Sequence, residues 1–145
     1  ASIIGLRQVV SFEGQAAMEL EMLADPGQSS AYPYRLLHQD GQVICDPSQM
    51  IESIANDHLS GVVGSRIAGR FHLSLAMMIE EVCDQLQQQT GLKQVVLSGG
   101  VFQNSLLTEM VVPRLEKADL TVLTHTLVPP NDGGLAFGQA VVAAV

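Results

Sequence analysis

Two short apolar runs alternate with two helix-like segments in the last third of the chain, and few folds accommodate this order. Residues 93–97 (KQVVL) and 120–123 (LTVL) read as strands, while residues 105–117 and 133–145 read as helices. Parallel strands need a crossover helix between them, so the sequence predicts a parallel β-α-β-α unit over residues 93–145. The first run is typical of a strand buried on both faces. Pro113 should kink the first helix or end it early.

The preceding part, residues 1–92, is predicted to be mainly helical. Helix formers dominate residues 15–24, 46–58 and 62–89, and Gly91 should end the longest of the three helices. Asp40 and Gly41 favour a two-residue turn with positive φ, which predicts a β-hairpin near residues 34–45. The apolar stripe of the long helix is expected to comprise Ile67, Phe71, Leu75, Met78, Val82 and Leu86.

Two parallel strands do not make a covered sheet, because parallel sheets are stable when several strands lie between helix layers. Either an N-terminal region supplies further strands or two copies associate. The chain begins with Ala1 and not Met, and excision from a longer protein is the favoured explanation. We therefore expect one partial α/β domain, in which 1–92 and 93–145 belong together, with possible self-association through the uncovered sheet.

Charge and hydropathy exclude several classes of partner. Fifteen acidic and seven basic side chains give a net charge of −8, which argues against binding nucleic acid. A membrane span or a secretion signal is not recognisable, so a soluble, cytoplasmic protein is expected. Cys45 and Cys83 lack the spacing of a zinc site and are predicted to be reduced structural thiols.

The segment VLSGGVFQN, residues 96–104, combines a buried strand with a glycine pair and a following helix. Backbone amides at Ser98, Gly99 and Gly100, together with the helix N-terminus, could bind phosphate oxygens. The same residues could equally form a tight turn that binds nothing. Asn104 could cap the helix or donate a hydrogen bond to a ligand.

The segment PPNDGGLAFGQ, residues 129–139, places Asp132 at a helix start. N-capping explains an acidic residue there, and a divalent metal ligand is the functional alternative, although one carboxylate is too few for a site. The four histidines, His38, His58, His72 and His125, form no HxxxH pair, so each is predicted to be a surface or packing residue.

A third segment, SFEGQ at residues 11–15, places Glu13 and Gly14 ahead of the first predicted helix. A loop followed by a helix start explains both residues. A carboxylate beside glycine could also hold a ribose hydroxyl.

These segments resemble the C-terminal part of the HypF family over essentially the whole chain. The motifs are SFEGQAAMELEMLA, the hairpin followed by Asp-Pro, IAGRFHLSLA, VLSGGVFQN and VPPNDGGLAFGQA, in that order. HypF proteins are carbamoyltransferases of hydrogenase maturation. Related Kae1/TsaD-type enzymes and O-carbamoyltransferases share the SGG and ND motifs but lack the VFQN and PPNDGGLA motifs.

The resemblance implies the second lobe of an actin-like ATPase (ASKHA) domain. It also implies an ATP-dependent enzyme that forms carbamoyl adenylate from carbamoyl phosphate and transfers the carbamoyl group to the C-terminal cysteine of HypE, on the way to the cyanide ligand of [NiFe] hydrogenase. In the family, other domains and a lobe with a metal-binding histidine pair precede this region. A fragment inactive by itself is therefore expected. A non-catalytic nucleotide-binding or protein-interaction module, or a related transferase with tRNA or another acceptor, remains an alternative.

Residue by residue, the resemblance places nucleotide-binding roles on Ser98, Gly99, Gly100 and Asn104, with Glu13 and Gly14 along the ribose. Asp132 would bind a divalent metal ion, Mg, Zn or Fe. The resemblance identifies no catalytic residue in this chain.

Overall fold

The protein has the expected mixed α/β fold, seen in a computed structural model that describes residues 1–144. The helices are α1 (Gln15–Leu23), α2 (Ser48–Leu59), α3 (Gly64–Thr90), α4 (Ser105–Lys117) and α5 (Leu135–Ala143). The strands are β1 (Arg35–Gln39), β2 (Gln42–Asp46), β3 (Gln94–Leu97) and β4 (Thr121–Thr124). None of the helices in this described part of the chain has the length and hydropathy needed to cross a membrane.

The long helix α3 is the centre of the molecule, because α1, α2 and α4 all pack against it. It separates two hydrophobic clusters. One lies against α2 and the hairpin and contains Tyr32, Met50, Ile54, Ile67 and Met78. The other lies among α3, α4 and the parallel strands and contains Ala76, Leu97, Leu107, Val111, Leu115 and Leu120. Because α3 contributes to both clusters, the helical part and the strand-helix part pack together.

The buried residues of α3 extend beyond the single apolar stripe predicted from the sequence. Leu86 is 45% exposed, so its predicted place in the core was wrong. His72, Ser74 and Ala76 are buried instead, because α3 has neighbours on several sides and not on one face alone. A single-stripe pattern describes a surface helix, whereas a central helix buries small and polar residues as well.

The structure confirms the predicted β-hairpin and its two-residue turn. β1 and β2 pair antiparallel, with Gln39 opposite Gln42. Asp40 and Gly41 both have positive φ, at 51° and 75°. Asp46 then accepts a hydrogen bond from the Ser48 backbone amide at 2.9 Å, so α2 begins at Ser48, shortly after the predicted start.

β3 and β4 pair in parallel, as predicted, with Val96 opposite Leu123. The prediction that β3 is buried on both faces was wrong for the chain described here. Leu97 is buried, but Val96 and Leu123 are 63% and 45% exposed. The reason is that helices α3 and α4 cover one face of this sheet, and the opposite face keeps its apolar side chains accessible.

The proline in α4 does not end the helix early, which was one of its two predicted effects, since α4 continues four residues beyond Pro113 to Lys117. Pro113 is exposed and so is Glu109, whose carbonyl loses its helical donor. Leu107, Val111 and Leu115 are at most 1% exposed. Burying three such side chains contributes about 5 kcal/mol or more, which exceeds the roughly 3 kcal/mol cost of an interior proline.

The C-terminal segment begins with a 3-10 turn at Asp132–Gly134 and continues into α5. Its predicted last residue, Val145, lies outside the described residues. α5 is apolar, yet Leu135, Phe137 and Val142 are 61%, 60% and 78% exposed. Val96 on β3 and Leu123 on β4 are also exposed apolar residues, and we call these five side chains together the outer face.

Tyr32 joins the helices through a polar network. Its side chain is 2% exposed, and its hydroxyl donates to Asp57 Oδ2 at 2.7 Å. Arg70 donates to the same oxygen at 2.6 Å and lies 3.9 Å from the centre of the Tyr32 ring. The Tyr32 backbone amide donates to Ser74 Oγ at 2.7 Å. The network therefore ties the segment before β1 to α2 and α3.

The two tyrosines should make stability fall at alkaline pH. Burial, followed by hydrogen bonds to Asp57 and Glu81, raises the pKa of Tyr32 and of Tyr34 well above the ordinary value of 10.0. The folded state therefore keeps two protons that the unfolded chain releases. This contribution is fully present below about pH 10 and decreases as the pH rises further. The free energy of unfolding should fall above that pH, and phenolate absorbance should appear only as helical circular dichroism is lost. Ionisation of both phenols near pH 10 with the helices intact would contradict this expectation.

Candidate functional site

The loop after β3 has a backbone that requires glycine. Gly99 has φ 97° and ψ 160°, a region that side chains rarely adopt. A 3-10 turn, Gly100–Gln103, follows and is closed by the hydrogen bond from the Phe102 amide to the Gly99 carbonyl at 3.1 Å. Within residues 1–144, no backbone or side-chain acceptor is found for the amides of Gly100 and Val101. These two donors are therefore available at the start of the turn.

The loop after β4 packs against this turn. The Gly99 amide donates to the Pro130 carbonyl at 2.8 Å, which joins the two loops. A Cβ on Gly134 would lie 2.8 Å from the Pro129 carbonyl oxygen, so the loop folds back closely on itself. The carboxyl ends of the two parallel strands thus carry two loops that contact each other, a common place for a ligand in α/β proteins.

The first predicted explanation of Asp132, N-capping, was wrong. The capping side chain is its neighbour Asn131, whose Oδ1 accepts from the Gly133 amide at 3.0 Å. Asn131 has the extended backbone of a cap, whereas Asp132 already lies inside the 3-10 turn. The carboxylate of Asp132 is exposed and lines the neighbouring cleft.

An open cleft of about 670 Å³ lies between the two loops and α5. Ser98, Gly99 and Asp132 line it, so three of the predicted site residues come together here. His125, predicted to be a surface or packing residue, lines the same cleft, and its Nε2 lies 2.8 Å from Ser98 Oγ. The sequence positions of the two residues could have predicted this contact, because Ser98 and His125 each directly follow one of the two parallel strands.

A second cleft, of about 480 Å³, lies on the other side of the 3-10 turn. Glu13, Gly14, Gly100 and Asn104 line it, which brings the remaining predicted site residues together. Gly14 has φ 81° at the start of α1, where the chain turns into the helix. The two clefts together therefore contain every predicted site residue, divided by residues 100–103.

Two backbone amides at the N-terminus of α4 already donate to side chains of this chain, which limits what the helix start can offer a phosphate group. The Leu106 amide donates to Glu21 Oε1 at 3.1 Å, and the Leu107 amide donates to Asn104 Oδ1 at 2.7 Å. Glu21 comes from α1, 85 residues away, and could not be identified from local sequence. Among the described residues, the amides of Gly100 and Val101 in the preceding 3-10 turn have no such partner.

The described residues contain no group of three or more His, Cys, Asp or Glu side chains arranged to hold a metal ion. Asp132 could supply one ligand only. Cys45 and Cys83 are both unpaired thiols. Burial raises the pKa of Cys83, which packs beside the cluster around Leu107, and a protonated thiol there suits a structural role.

The family comparison covers nearly the whole chain. The family model "Carbamoyltransferase, Kae1-like Domain, second subdomain" matches residues 1–139. Carbamoyltransferase HypF of Rhodobacter capsulatus is 41% identical over 135 residues, or 92% of this chain. Carbamoyltransferase HypF of Synechocystis sp. is 36% identical over 140 residues, or 96% of this chain. The chain spans only 17% and 18% of the length of these two curated relatives.

Solved structures give the same result. The crystal structure of full-length HypF in the phosphate- and nucleotide-bound form matches with a TM-score of 0.90 and 38% identity, over 97% of this chain and 18% of that one. The T. kodakarensis HypF structure matches with a TM-score of 0.77 and 27% identity, over 95% of this chain and 18% of that one. Both confirm the predicted fold class. Since the sequence match and the structural match both extend over nearly all of its residues, this chain belongs to the HypF carbamoyltransferase family, at the place of the second subdomain of the Kae1-like domain.

Proposed function

We propose that this chain forms one wall of the nucleotide site of an ATP-dependent carbamoyltransferase in [NiFe] hydrogenase maturation. The observation that carries the proposal is the pair of loops after β3 and β4, joined by the Gly99–Pro130 hydrogen bond beside an open cleft. Membership of the HypF family supports the transferase class. The nucleotide- and phosphate-bound state of the full-length HypF relative supports the choice of ligand.

The residues have distinct proposed roles. The amides of Gly100 and Val101 would bind phosphate oxygens, because they are donors without an acceptor in the described chain. Gly100 and Val101 line the second cleft, and Ser98 and Gly99, the two residues before them, would line the first cleft beside the phosphate groups. Glu13 and Gly14 are proposed to lie along the ribose in the second cleft. Asn104 would act indirectly, since its carboxamide oxygen already caps α4.

We propose that a divalent metal ion, Mg, Zn or Fe, would be bound jointly by Asp132 and by groups that do not belong to this chain. Asp132 is exposed at the edge of the first cleft, and a single carboxylate does not hold such an ion by itself. The residues of this chain therefore do not fit a complete metal site, and the proposed roles above do not depend on one.

We propose the complete reaction for proteins of the full HypF length, and not for this chain by itself. It would join carbamoyl phosphate and ATP to carbamoyl adenylate and pass the carbamoyl group to the C-terminal cysteine of a HypE-type protein. The chain spans less than a fifth of the HypF relatives described above, so we expect no carbamoyl transfer by these 145 residues alone. Its net charge of −8 favours a protein acceptor over tRNA.

The outer face favours a second candidate function, that of an interaction module without catalysis. Exposed apolar side chains on β3, β4 and α5 are the kind of surface that another chain or a second copy covers. Self-association through this face is therefore also proposed.

Calorimetric titration with ATP and Mg²⁺ should separate the two functions. A Cβ on Gly100 would have its nearest neighbour at 3.9 Å, so Gly100→Val should place a side chain in the ligand space without disturbing the turn. We expect it to weaken ATP binding by about tenfold or more, because it blocks the close approach of phosphate. Asp132→Ala should weaken binding in the presence of Mg²⁺ by a smaller factor.

Glu116→Ala is the matched control for charge, since Glu116 is an exposed carboxylate at the far end of α4 and lines neither cleft. It should bind ATP like the unaltered chain. Equal affinity of all four proteins would refute the nucleotide site and support the interaction module.

A further inference from the structure

His72 is a buried polar side chain to which the proposed reaction assigns no role. It is 2% exposed in the middle of α3. Its Nδ1 lies 2.8 Å from the Ala68 carbonyl oxygen, and its Nε2 lies 2.9 Å from Asn104 Nδ2. A carbonyl oxygen can only accept, so Nδ1 carries the hydrogen. Nε2 of the neutral ring then accepts from the Asn104 amide.

The contact determines which way the Asn104 carboxamide points. Oδ1 accepts from the Leu107 amide at 2.7 Å and caps α4. The reversed orientation would turn the NH2 group toward the Leu107 amide, where two donors would face each other. His72 Nε2 stabilises the capping orientation, because it accepts a hydrogen bond from the Asn104 NH2 group, which takes no part in the cap.

The backbone of Asn104 extends this effect to the ligand loop. Its amide donates to the Val101 carbonyl at 3.2 Å, which closes the end of the 3-10 turn. Its carbonyl accepts from Thr108 Oγ1 at 2.9 Å. The residue that caps α4 is thus the residue that ends the turn between the two clefts.

We infer that His72 is a positioning residue for the ligand loop: its Nε2 orients Asn104, and Asn104 fixes the 3-10 turn that carries the available amides. The positioning of Asn104 and of the 3-10 turn by His72 follows from the hydrogen bonds alone. Its effect on nucleotide binding rests on the proposed function. Phe71 packs edge-on against the imidazole, with ring centres 5.7 Å apart, and helps to hold its orientation.

A pair of variants separates the acceptor from the bulk of the ring. His72→Gln presents an amide oxygen near the place of Nε2, whereas His72→Leu fills a similar volume without an acceptor. Both lose the bond to Ala68 in the same way. In the 145-residue chain, amide exchange of Leu107 should be about tenfold faster in the Leu variant than in the Gln variant, the change expected for a lost cap. Affinity for a non-hydrolysable ATP analogue should fall by a similar factor in the Leu variant only.

Equal Leu107 exchange in the two variants would overturn the inference, because the acceptor would then have no influence on the cap. Should His72→Leu fail to fold, heteronuclear NMR of the imidazole nitrogens in the unaltered chain decides. Hydrogen on Nδ1 supports the inference and hydrogen on Nε2 alone overturns it. If the unaltered chain binds no ATP analogue while the difference in Leu107 exchange persists, the proposed function fails and the positioning role stands.

Discussion

Gly69→Ala is expected to lower the free energy of unfolding by about 3 kcal/mol, the upper range for overpacking a tightly packed site. A Cβ at this position in α3 would overlap with the backbone carbonyl oxygen of Asp25 and lie 2.8 Å from Gln28 Cγ. The Gln28 side chain can move, but the Asp25 backbone cannot move easily. Its amide donates to the Ser65 carbonyl at 2.9 Å, which holds the segment against the same helix.

Gly64→Ala is the control for this substitution. Gly64 begins the same helix, and a Cβ there would meet Leu23 Cδ2 at 3.4 Å, which is ordinary van der Waals contact. The gain in helix propensity is larger at the interior position 69 than at the first helical residue 64, so a lower stability of Gly69→Ala than of Gly64→Ala must come from the overlap with the Asp25 carbonyl. Urea unfolding followed by circular dichroism measures it. Similar stability of the two variants would show that the segment after α1 adapts to the added methyl group.

Asp57→Ala is expected to cost about 2 to 3 kcal/mol, because it leaves two donors without their common acceptor. The Tyr32 hydroxyl and the Arg70 guanidinium both donate to Asp57 Oδ2. The Arg70 and Asp57 side chains are 23% and 25% exposed, so solvent compensates only part of the loss. Asp57→Asn keeps an acceptor oxygen and should lose less.

An exposed ion pair provides the comparison. Lys93 pairs with Asp119, and their side chains are 62% and 81% exposed. Lys93→Ala should change the unfolding free energy by about 0.5 kcal/mol or less, as is typical of surface pairs. Chemical denaturation of the three variants at pH 7 checks the order. An Asp57→Ala protein as stable as Lys93→Ala would mean that the Tyr32 network contributes no more than a surface pair.

Local patterns were sufficient for most of the fold. The positive φ values of Asp40 and Gly41, and the left-handed Gly91 that ends α3, follow from the preferences of two or three adjacent residues. The parallel pairing of β3 and β4 follows from the order of the elements. Patterns of this kind are visible in sequence because the physical cause lies within a few residues of its effect.

The candidate site was only partly accessible to the same reasoning. The glycine-rich turns could be recognised, but three contacts that arrange them join residues 27 to 85 positions apart: His125 with Ser98, His72 with Asn104, and Glu21 with Leu106. Single-sequence periodicity carries no information on such pairs. The exposure of Val96 was missed for a related reason, since an apolar strand has the same composition whether one face or both are covered.

The bond between Glu21 and Leu106 has a consequence for the order of folding. It closes a loop of 85 residues, and contacts of such large sequence separation carry a high entropic cost before they contribute any stability. The local hairpin and α3 can form early, whereas the first turn of α4 reaches its final arrangement only when α1 has docked. We therefore expect the second cleft to be completed late in folding, once α1 has docked against α3 and brought Glu21 to the start of α4.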